Sequence, residues 1–175
     1  DKKDLSTKTE EEVAALPKDQ SKGETPKKEG WQEENKQWRF YENNQPVLKW
    51  KKIQDKWYYF DQEGNRLSDT IFDGYVLNKD GIMLENGWVA LEGKWYYVSE
   101  SGKIIQQTWK KIGGIWYYFD KDGVMLSQTI VDGYLLTKSG AMAENGWVKF
   151  DQNWYYVTPS GRISQDKWEK VNGSW

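Results

Sequence analysis

From Trp31 onward, aromatic and β-branched positions alternate with charged ones in short runs that end at turn-forming residues. Such alternation predicts short β-strands with one buried face. The stretch WKKIQDKWYYFD, which begins at Trp50, returns 59 residues later as WKKIGGIWYYFD, which begins at Trp109. Tryptophans seven residues apart recur along the chain, and a glycine follows most pairs, which defines a unit of about 20 residues. The pairs are Trp31 and Trp38, Trp50 and Trp57, Trp88 and Trp95, Trp109 and Trp116, Trp147 and Trp154, and Trp168 and Trp175.

Two further units carry the same pattern without tryptophan. TIFDGYVLNKDGIML (residues 70–84) and TIVDGYLLTKSGAMA (residues 129–143) align with the others by their Asp-Gly and their later Gly-x-Met. In this alignment Tyr75 and Tyr134 keep the position of the first tyrosine of WYY. A super-period of 59 residues therefore contains three units, of which one lacks tryptophan.

The residues between paired tryptophans predict tight β-hairpins. Their central dipeptides include Asn-Gly and Gly-Gly, which form two-residue turns, and the flanking residues are β-branched or aromatic. A turn at residues 54–55 pairs Trp50 with Tyr59. Because side chains alternate between the faces of a strand, Trp50 and Trp57 project from one face and Tyr58 from the other.

An isolated hairpin is marginally stable in water, so we expect these hairpins to stack in a row. The tryptophan face of one hairpin then meets the tyrosine face of the next. Diagonal cross-strand neighbours lie roughly 7–8 Å apart, a gap that we expect two indole rings to leave open for a guest. The pattern therefore predicts an open aromatic slot at each junction.

The first part of the chain has a different composition. Residues 1–29 contain no aromatic residue and mix Lys and Glu with Ser, Thr and Pro. Such a segment has too little apolar surface to offset its chain entropy. We therefore predict a disordered, mixed-charge linker over 1–29 and a repeat module over 30–175, with seven hairpin units and a truncated eighth. The final NGSW predicts Tyr-Tyr as the next residues, so we expect the natural protein to continue.

Composition excludes several classes of function. The net charge is −2, which provides no basic stripe for nucleic acid, and no apolar run is long enough to span a membrane. The chain has no Cys and no His, which removes thiolate and imidazole catalysis and the usual zinc ligands. The acid pairs Asp61/Glu63 and Asp120/Asp122 precede a glycine in a recurring turn, and the calcium-like DKDG lacks later ligands. We predict no active site, no metal and no cofactor.

An aromatic slot without an acid suits few ligands. Electron-rich ring faces attract a soft, poorly hydrated cation such as a quaternary ammonium group. A sugar ring could stack in the same slot instead. A third alternative is that the tryptophans only hold neighbouring hairpins together, since tryptophan is highly buried on average. The two units without tryptophan argue against this last alternative.

The repeats resemble the choline-binding, or cell-wall-binding, repeats of streptococcal surface proteins, phage lysins and murein hydrolases. The closest matches to that pattern are WKKIQDKWYYFDQEGNRL, GWVALEGKWYYVSESGKI, WKKIGGIWYYFDKDGVM and GWVKFDQNWYYVTPSGRI. The resemblance covers residues 30–175. It implies an all-β fold, a left-handed β-solenoid of stacked hairpins. It also implies that two tryptophans of one repeat and a tyrosine of the next surround each choline.

Carried onto this sequence, the resemblance implies four complete choline sites. The Trp147/Trp154 pair lacks its third wall, and the Trp-free junctions at 70–84 and 129–143 are expected to hold no choline. WRFY at 38–41 departs from WYY, which weakens the match of the first site. The four sites are Trp31/Trp38/Tyr58, Trp50/Trp57/Tyr75, Trp88/Trp95/Tyr117 and Trp109/Trp116/Tyr134.

The function implied is a non-catalytic module that anchors its parent protein to a bacterial cell wall. Its partner would be the phosphocholine of teichoic or lipoteichoic acid, and its location the secreted, cell-surface side. One alternative is a glucan-binding repeat module. Another is the targeting module of a murein hydrolase whose catalytic domain lies outside this chain. The Trp-free units would line one side of the solenoid and could pack against another module.

Overall fold

The structure is a computed structural model that describes residues 26–164. Over that range the chain is all-β, built from short antiparallel hairpins, and contains no helix. It divides into two compact units, residues 1–67 and 68–175. The predicted disorder of the linker falls almost wholly outside the described residues, as do Trp168 and Trp175.

The described part of the first unit, residues 26–67, contains five strands. The strands β1, β2 and β3 form one three-stranded sheet, and β4 pairs with β5. Tyr41 of β2 is buried, and its hydroxyl donates to the carboxylate of Glu34 at 3.1 Å. The strands are β1 (Gly30–Glu34), β2 (Gln37–Glu42), β3 (Gln45–Pro46), β4 (Lys49–Ile53) and β5 (Lys56–Phe60).

Within residues 68–164, the second unit contains ten strands in five two-stranded hairpins. In each hairpin the two strands follow one another directly in the chain and pair antiparallel. The strands are β6 (Thr70–Phe72), β7 (Tyr75–Leu77), β8 (Gly87–Leu91), β9 (Lys94–Val98), β10 (Thr108–Ile112), β11 (Ile115–Phe119), β12 (Thr129–Val131), β13 (Tyr134–Leu136), β14 (Gly146–Phe150) and β15 (Asn153–Val157).

Tight two-residue turns set the hairpin register. Gln54 and Asp55 both have positive φ, 49° and 65°, as a type I′ turn requires. The turn pairs Trp50 with Tyr59, as the sequence predicts. Neither turn residue is glycine, so the pairing of the aromatic strands imposes a conformation that the turn residues do not favour.

The Trp-free hairpins are shorter. Each of their strands has three residues rather than five, and the turn is made by Asp73 and Gly74 in the first of them. Tyr75 therefore follows the turn directly and pairs with Phe72. Gly74 stands where the other hairpins have their second tryptophan. The early turn removes one wall of an aromatic pair while leaving the tyrosine in place.

The core of each unit forms where the second strand of a hairpin ends. From β5 onward, the last residue of each such strand is almost completely buried and forms a backbone bridge to a residue six positions later. Each hairpin from β4–β5 onward thus contributes one buried apolar side chain at this position. These residues are Phe60 in the first unit and Leu77, Val98, Phe119, Leu136 and Val157 in the second.

Polar side chains hold the loops that follow the hairpins. The carboxylate of Asp120 accepts hydrogen bonds from the backbone N–H groups of Asp122 and Val124, both at 2.9 Å. Asp61 does the same for Glu63 and Asn65, at 2.9 and 2.8 Å. The acids that a catalytic interpretation would use are therefore turn-forming groups.

Candidate functional site

The Trp88 site begins with the register of hairpin β8–β9. Trp88 pairs with Tyr97 and Ala90 pairs with Trp95, so the two tryptophans are diagonal neighbours on one face. Their ring centroids are 6.3 Å apart and the rings are nearly perpendicular, at 83°. This separation lies within the range of an aromatic pair. The two rings meet edge to face rather than as parallel walls, at a separation shorter than the roughly 7–8 Å expected for diagonal neighbours.

The third wall of the site comes from the next hairpin. Tyr117 on β11 lies 4.8 Å from Trp88, at 75°. Phe119, two residues later on the same face, lies 5.7 Å from Trp88 and is fully buried. The core contact between Phe119 and Trp88 therefore holds the tyrosine at the rim of the site. The structure brings Trp88, Trp95 and Tyr117 together as predicted.

A cavity of about 290 Å³ opens between these three rings. Met125 and Ser139 complete its lining. Trp95 is 47% exposed at its mouth, so the cavity is accessible from solvent. Its walls are three aromatic rings, a thioether and a hydroxyl, with no carboxylate among the lining residues.

The Trp109 site is built in the same way. Tyr134 of β13 lies 5.4 Å from Trp109, at 71°. A cavity of about 320 Å³ is lined by Trp109, Trp116, Tyr134, Met142 and Ser160. The three predicted residues meet here too, although Tyr134 belongs to a Trp-free hairpin.

A basic side chain lies against Tyr134. The guanidinium carbon of Arg162 lies 4.9 Å from the centre of the tyrosine ring, and its Nη1 donates to the carbonyl oxygen of Asp132 at 3.1 Å. Lys103 does the same at Tyr75, 4.7 Å from the ring, and donates to the carbonyl oxygen of Asp73. These cation–π contacts hold the tyrosines of the Trp-free hairpins in place.

The Trp31 site lies within the first unit. Trp31 is 6.2 Å from Trp38, at 82°, and 4.9 Å from Tyr58, at 72°. The structure thus also joins these three predicted residues. Arg66 places a guanidinium against both tryptophans of this site, with its central carbon 5.4 Å from Trp31 and 5.6 Å from Trp38, whereas Arg162 lies against the tyrosine of the Trp109 site.

Two of the predicted aromatic groups are not described as complete three-ring sites. Trp50 and Trp57 lie on β4 and β5 of the first unit and Tyr75 on β7 of the second, so this site stays a prediction. Trp147 and Trp154 lie on β14 and β15 and are 54% and 63% exposed. They are the most exposed tryptophans among those that the structure describes.

Sequence reasoning missed the residues that close the sites from below. Met125 and Met142 line the two cavities, and Ser139 and Ser160 lie beside them. The recurring Gly-x-Met motif could have indicated them. In the copies that end in Met125 and Met142, the residue two positions after the glycine lines the aromatic site of the hairpin before it. Arg66 occupies that same position after Gly64.

The junction between a Trp-free hairpin and its successor looks different. A cavity of about 410 Å³ lies between β13 and β14, with Leu135, Val148 and Phe150 as its apolar lining. The only ring in that lining is Phe150. Tyr155, the one site-type aromatic predicted there, packs into a core cluster instead. The lining therefore lacks an indole pair.

Electrostatics around the sites are weak. Among residues 26–164 no group of three or more acidic side chains is placed to hold a metal ion, and no helix could span a bilayer. Lys28 hydrogen-bonds to Glu34 at 2.7 Å and lowers the pKa of that carboxyl. Burial raises the pKa of Tyr96. The linings of the Trp88 and Trp109 cavities thus offer ring faces and no acidic group to a ligand.

Comparisons with known proteins agree with this geometry. The Choline_bind_1 family model, which describes a cell wall binding repeat, matches residues 49–65, 86–104, 107–125 and 145–163. Each match contains one of the Trp-rich hairpins. No curated protein sequence matches the chain.

Several solved structures from Streptococcus pneumoniae are similar. The modular autolysin LytC is 31% identical, with 82% of this chain and 36% of LytC covered and a TM-score of 0.66. Choline binding protein F is 29% identical, with 78% and 52% covered and a TM-score of 0.62. CbpJ is 28% identical, with 78% and 48% covered and a TM-score of 0.65. The chain spans about a third to a half of the length of these proteins.

Proposed function

We propose, from the premise that this chain belongs to the family of choline-binding cell wall repeats, that it is a non-catalytic anchoring module. Its ligand is the phosphocholine of teichoic and lipoteichoic acids. The observation that carries the proposal is the preformed cavity between Trp88, Trp95 and Tyr117. A trimethylammonium group fits such a cavity because it is a soft cation with methyl groups to bury.

The lining chemistry favours choline over other cations. A primary ammonium group binds best where a carboxylate accepts its hydrogen bonds, and neither lined cavity offers a carboxylate. A quaternary ammonium group has no N–H to satisfy, so ring faces and the thioether of Met125 or Met142 suffice. The hydroxyls of Ser139 and Ser160 lie beside the rings, where the alcohol or phosphate oxygen of the ligand would leave the cavity.

Each site would bind weakly by itself. One cation–π contact contributes about 0.5–2 kcal/mol, and three walls with methyl burial give a dissociation constant on the order of millimolar. Several sites on one chain would engage a polymer with repeated phosphocholine groups. Multivalency then raises the overall affinity by about 10²–10⁴.

We infer the larger architecture from the same premise. The hairpins would stack as a left-handed β-solenoid with a three-hairpin period, and the Trp-free units at 70–84 and 129–143 would carry no choline. The module would act on the cell surface of a bacterium, without cofactor. It would serve a parent protein such as a surface protein or a murein hydrolase.

Elution from a tertiary-amine resin tests the proposal. Free choline and tetramethylammonium at millimolar concentration should elute the full chain, whereas ammonium chloride at the same ionic strength should not. Trp116→Ala should lower the choline concentration needed for elution. Ile115→Ala is the matched control, because Ile115 is 40% exposed beside Trp116, at 37%, and points to the other face of the strand.

The rival function is glucan binding. A sugar ring also stacks on indole, so dextran would then displace the protein from the resin or bind it directly. Retention of the chain in saturating choline together with binding to dextran would overturn the proposal. Choline elution that is insensitive to dextran would support it.

A further inference from the structure

The Trp31 site matches the Trp88 site ring by ring. The tryptophan pairs are separated by 6.2 and 6.3 Å, at 82° and 83°. The distances from tryptophan to tyrosine are 4.9 and 4.8 Å, and the buried phenylalanine below lies 5.8 Å away in one site and 5.7 Å in the other. The aromatic walls are therefore equivalent, and any difference in binding must come from another group.

The difference lies at one backbone position. The N–H of Arg66 donates to the carbonyl oxygen of Trp38 at 2.8 Å, and the N–H of Met125 donates to that of Trp95 at 2.8 Å. Arg66 forms a bridge with Phe60 just as Met125 forms one with Phe119. Arg66 and Met125 thus enter equivalent sites from the same place. Arg66 brings a permanent positive charge, whereas Met125 brings a thioether.

The guanidinium of Arg66 lies over the rings of both tryptophans of the Trp31 site. Its central carbon is 5.4 Å from Trp31 and 5.6 Å from Trp38, within the roughly 6 Å range of a cation–π contact. A guanidinium group is planar, weakly hydrated and always charged, so it suits aromatic faces. Like the trimethylammonium group of the proposed ligand, it is a weakly hydrated cation that aromatic rings attract.

We propose that Arg66 is the resident cation of the Trp31 site and excludes choline from it. This inference rests on the proposed function of the other sites. Choline must displace a cation that is covalently attached and held by two backbone contacts of its own residue. A tethered group acts at an effective concentration of about millimolar or more, comparable with the dissociation constant of a single site. Arg66 also adds charge repulsion against a second cation.

As a consequence, similar aromatic clusters have different roles, some structural and some ligand-binding. In the Trp31 cluster, Arg66 occupies the site and the cluster serves as a structural element of the first unit. The Trp88 and Trp109 clusters stay open to choline. A single side chain, two positions after a recurring glycine, decides between the two outcomes. Methionine at that position leaves the site open, and arginine closes it.

Indole N–H signals in two-dimensional NMR of the full chain provide a test at each site. Trp31→Phe, Trp38→Phe and Trp88→Phe assign the signals. At a choline concentration that saturates the Trp88 site, the signals of Trp31 and Trp38 should stay unchanged in the natural sequence. In Arg66→Met they should respond, with an apparent affinity at least about tenfold higher than before.

The reciprocal change tests the same idea at another site. Met125→Arg should weaken choline binding at the Trp88 site by about tenfold or more and leave the Trp109 site unchanged. Arg66→Gln removes the charge and keeps a polar side chain, and should also open the Trp31 site. Far-UV circular dichroism and thermal unfolding establish that each variant is folded before its titration is interpreted.

The outcomes separate the two proposals. If the Trp31 signals respond in the natural sequence at the same choline concentration as the Trp88 signals, the inference about Arg66 is wrong and the proposed function stands. If no site responds, the proposed function fails. If phosphocholine but not choline shifts the Trp31 signals, Arg66 is a phosphate contact and the closure is overturned. The inference about Arg66 is also overturned if the signals of Trp31 and Trp38 do not respond to choline in folded Arg66→Met and Arg66→Gln variants.

Discussion

The ring of Trp88 lies 5.7 Å from that of Phe119, tilted by 39°, so one indole covers the buried core and walls the ligand cavity at once. Its partner Trp95 is 47% exposed and lies on the far side of the same cavity. The two tryptophans of this pair therefore have different roles. Trp88 links neighbouring hairpins, whereas Trp95 mainly faces the ligand.

Trp95→Ala should separate binding from stability. Because Trp95 is half-exposed, its loss should change the free energy of unfolding by about 0.5 kcal/mol while weakening choline binding at that site about tenfold. Trp88→Ala should weaken binding as much and also cost about 2–3 kcal/mol of stability. Urea unfolding and choline titration of tryptophan fluorescence measure both. Equal stability losses in the two variants would contradict this division.

Gly140→Ala should disturb the Trp88 site from below. Gly140 has φ of +89°, and an added Cβ would lie 2.5 Å from the sulfur of Met125, which lines the cavity. Gly93→Ala is the matched control, with φ of +76° and no atom within 4 Å of the added Cβ. Both variants carry backbone strain of about 1 kcal/mol or more. Only Gly140→Ala should also lower choline affinity, as seen by titration.

Phe119→Ala should remove the support of the tyrosine wall. Phe119 is fully buried, and its truncation should cost about 3–5 kcal/mol in the free energy of unfolding. Ile130→Ala, at a residue that is 38% exposed, should cost less than about 1 kcal/mol. Chemical denaturation gives both values. A loss at Phe119 as small as that at Ile130 would show that the hairpins do not depend on this core.

Asp120 is expected to act through its turn and not through chemistry. Asp120→Ala should cost about 1.5–3 kcal/mol, because two backbone N–H groups lose a charged acceptor. Asp120→Asn should recover most of that loss, since Asn78 makes the same two contacts at 2.9 Å in another loop. Asp122→Ala is the control. Thermal unfolding compares the stability of the three variants. An Asp120→Ala variant as stable as the natural sequence would contradict this role.

Tyr96 should make the fold sensitive to alkali. Burial, and then the negative charges of Asp120 and Glu92, raise the pKa of Tyr96 above its ordinary value of about 10. The folded state therefore holds this proton more tightly than the unfolded state. The resulting stability is complete below about pH 10 and is lost as the pH rises through the folded pKa.

Tyr96→Phe removes that titration. Between about pH 8 and pH 11, the urea midpoint of the natural sequence should fall further than that of Tyr96→Phe. Tyr155→Phe, the equivalent change in a later repeat, controls for the loss of a tyrosine. Parallel pH dependence of all three proteins would show that Tyr96 does not titrate differently on unfolding.

Local pattern was sufficient for the hairpins. The turn at Gln54–Asp55 and the pairing of Trp50 with Tyr59 were predicted and are confirmed. Alternation and turn position determine a two-stranded register, because both act over a few residues. Pairing did not decide burial, since Phe60 is fully buried and Tyr59 is half-buried against Trp50.

The meeting of Trp88 with Tyr117 was also within reach of the sequence, because neighbouring hairpins of equal length present the same faces at regular spacing. The sequence did not predict the angle between paired indoles, and it did not predict which side chain lies below them. Side chains choose rotamers by packing against neighbours from other repeats, which a strand pattern does not specify.

The sequence by itself determined the hairpins, their register and the aromatic residues that each hairpin presents to the next. Only the tertiary structure decided which side chain fills the floor of each aromatic cluster. Met125 leaves a cavity, and Arg66 places a cation on the rings. The reason is physical. A strand period sets the direction of a side chain, whereas the reach of a long side chain into a neighbouring repeat depends on the space that folding leaves there.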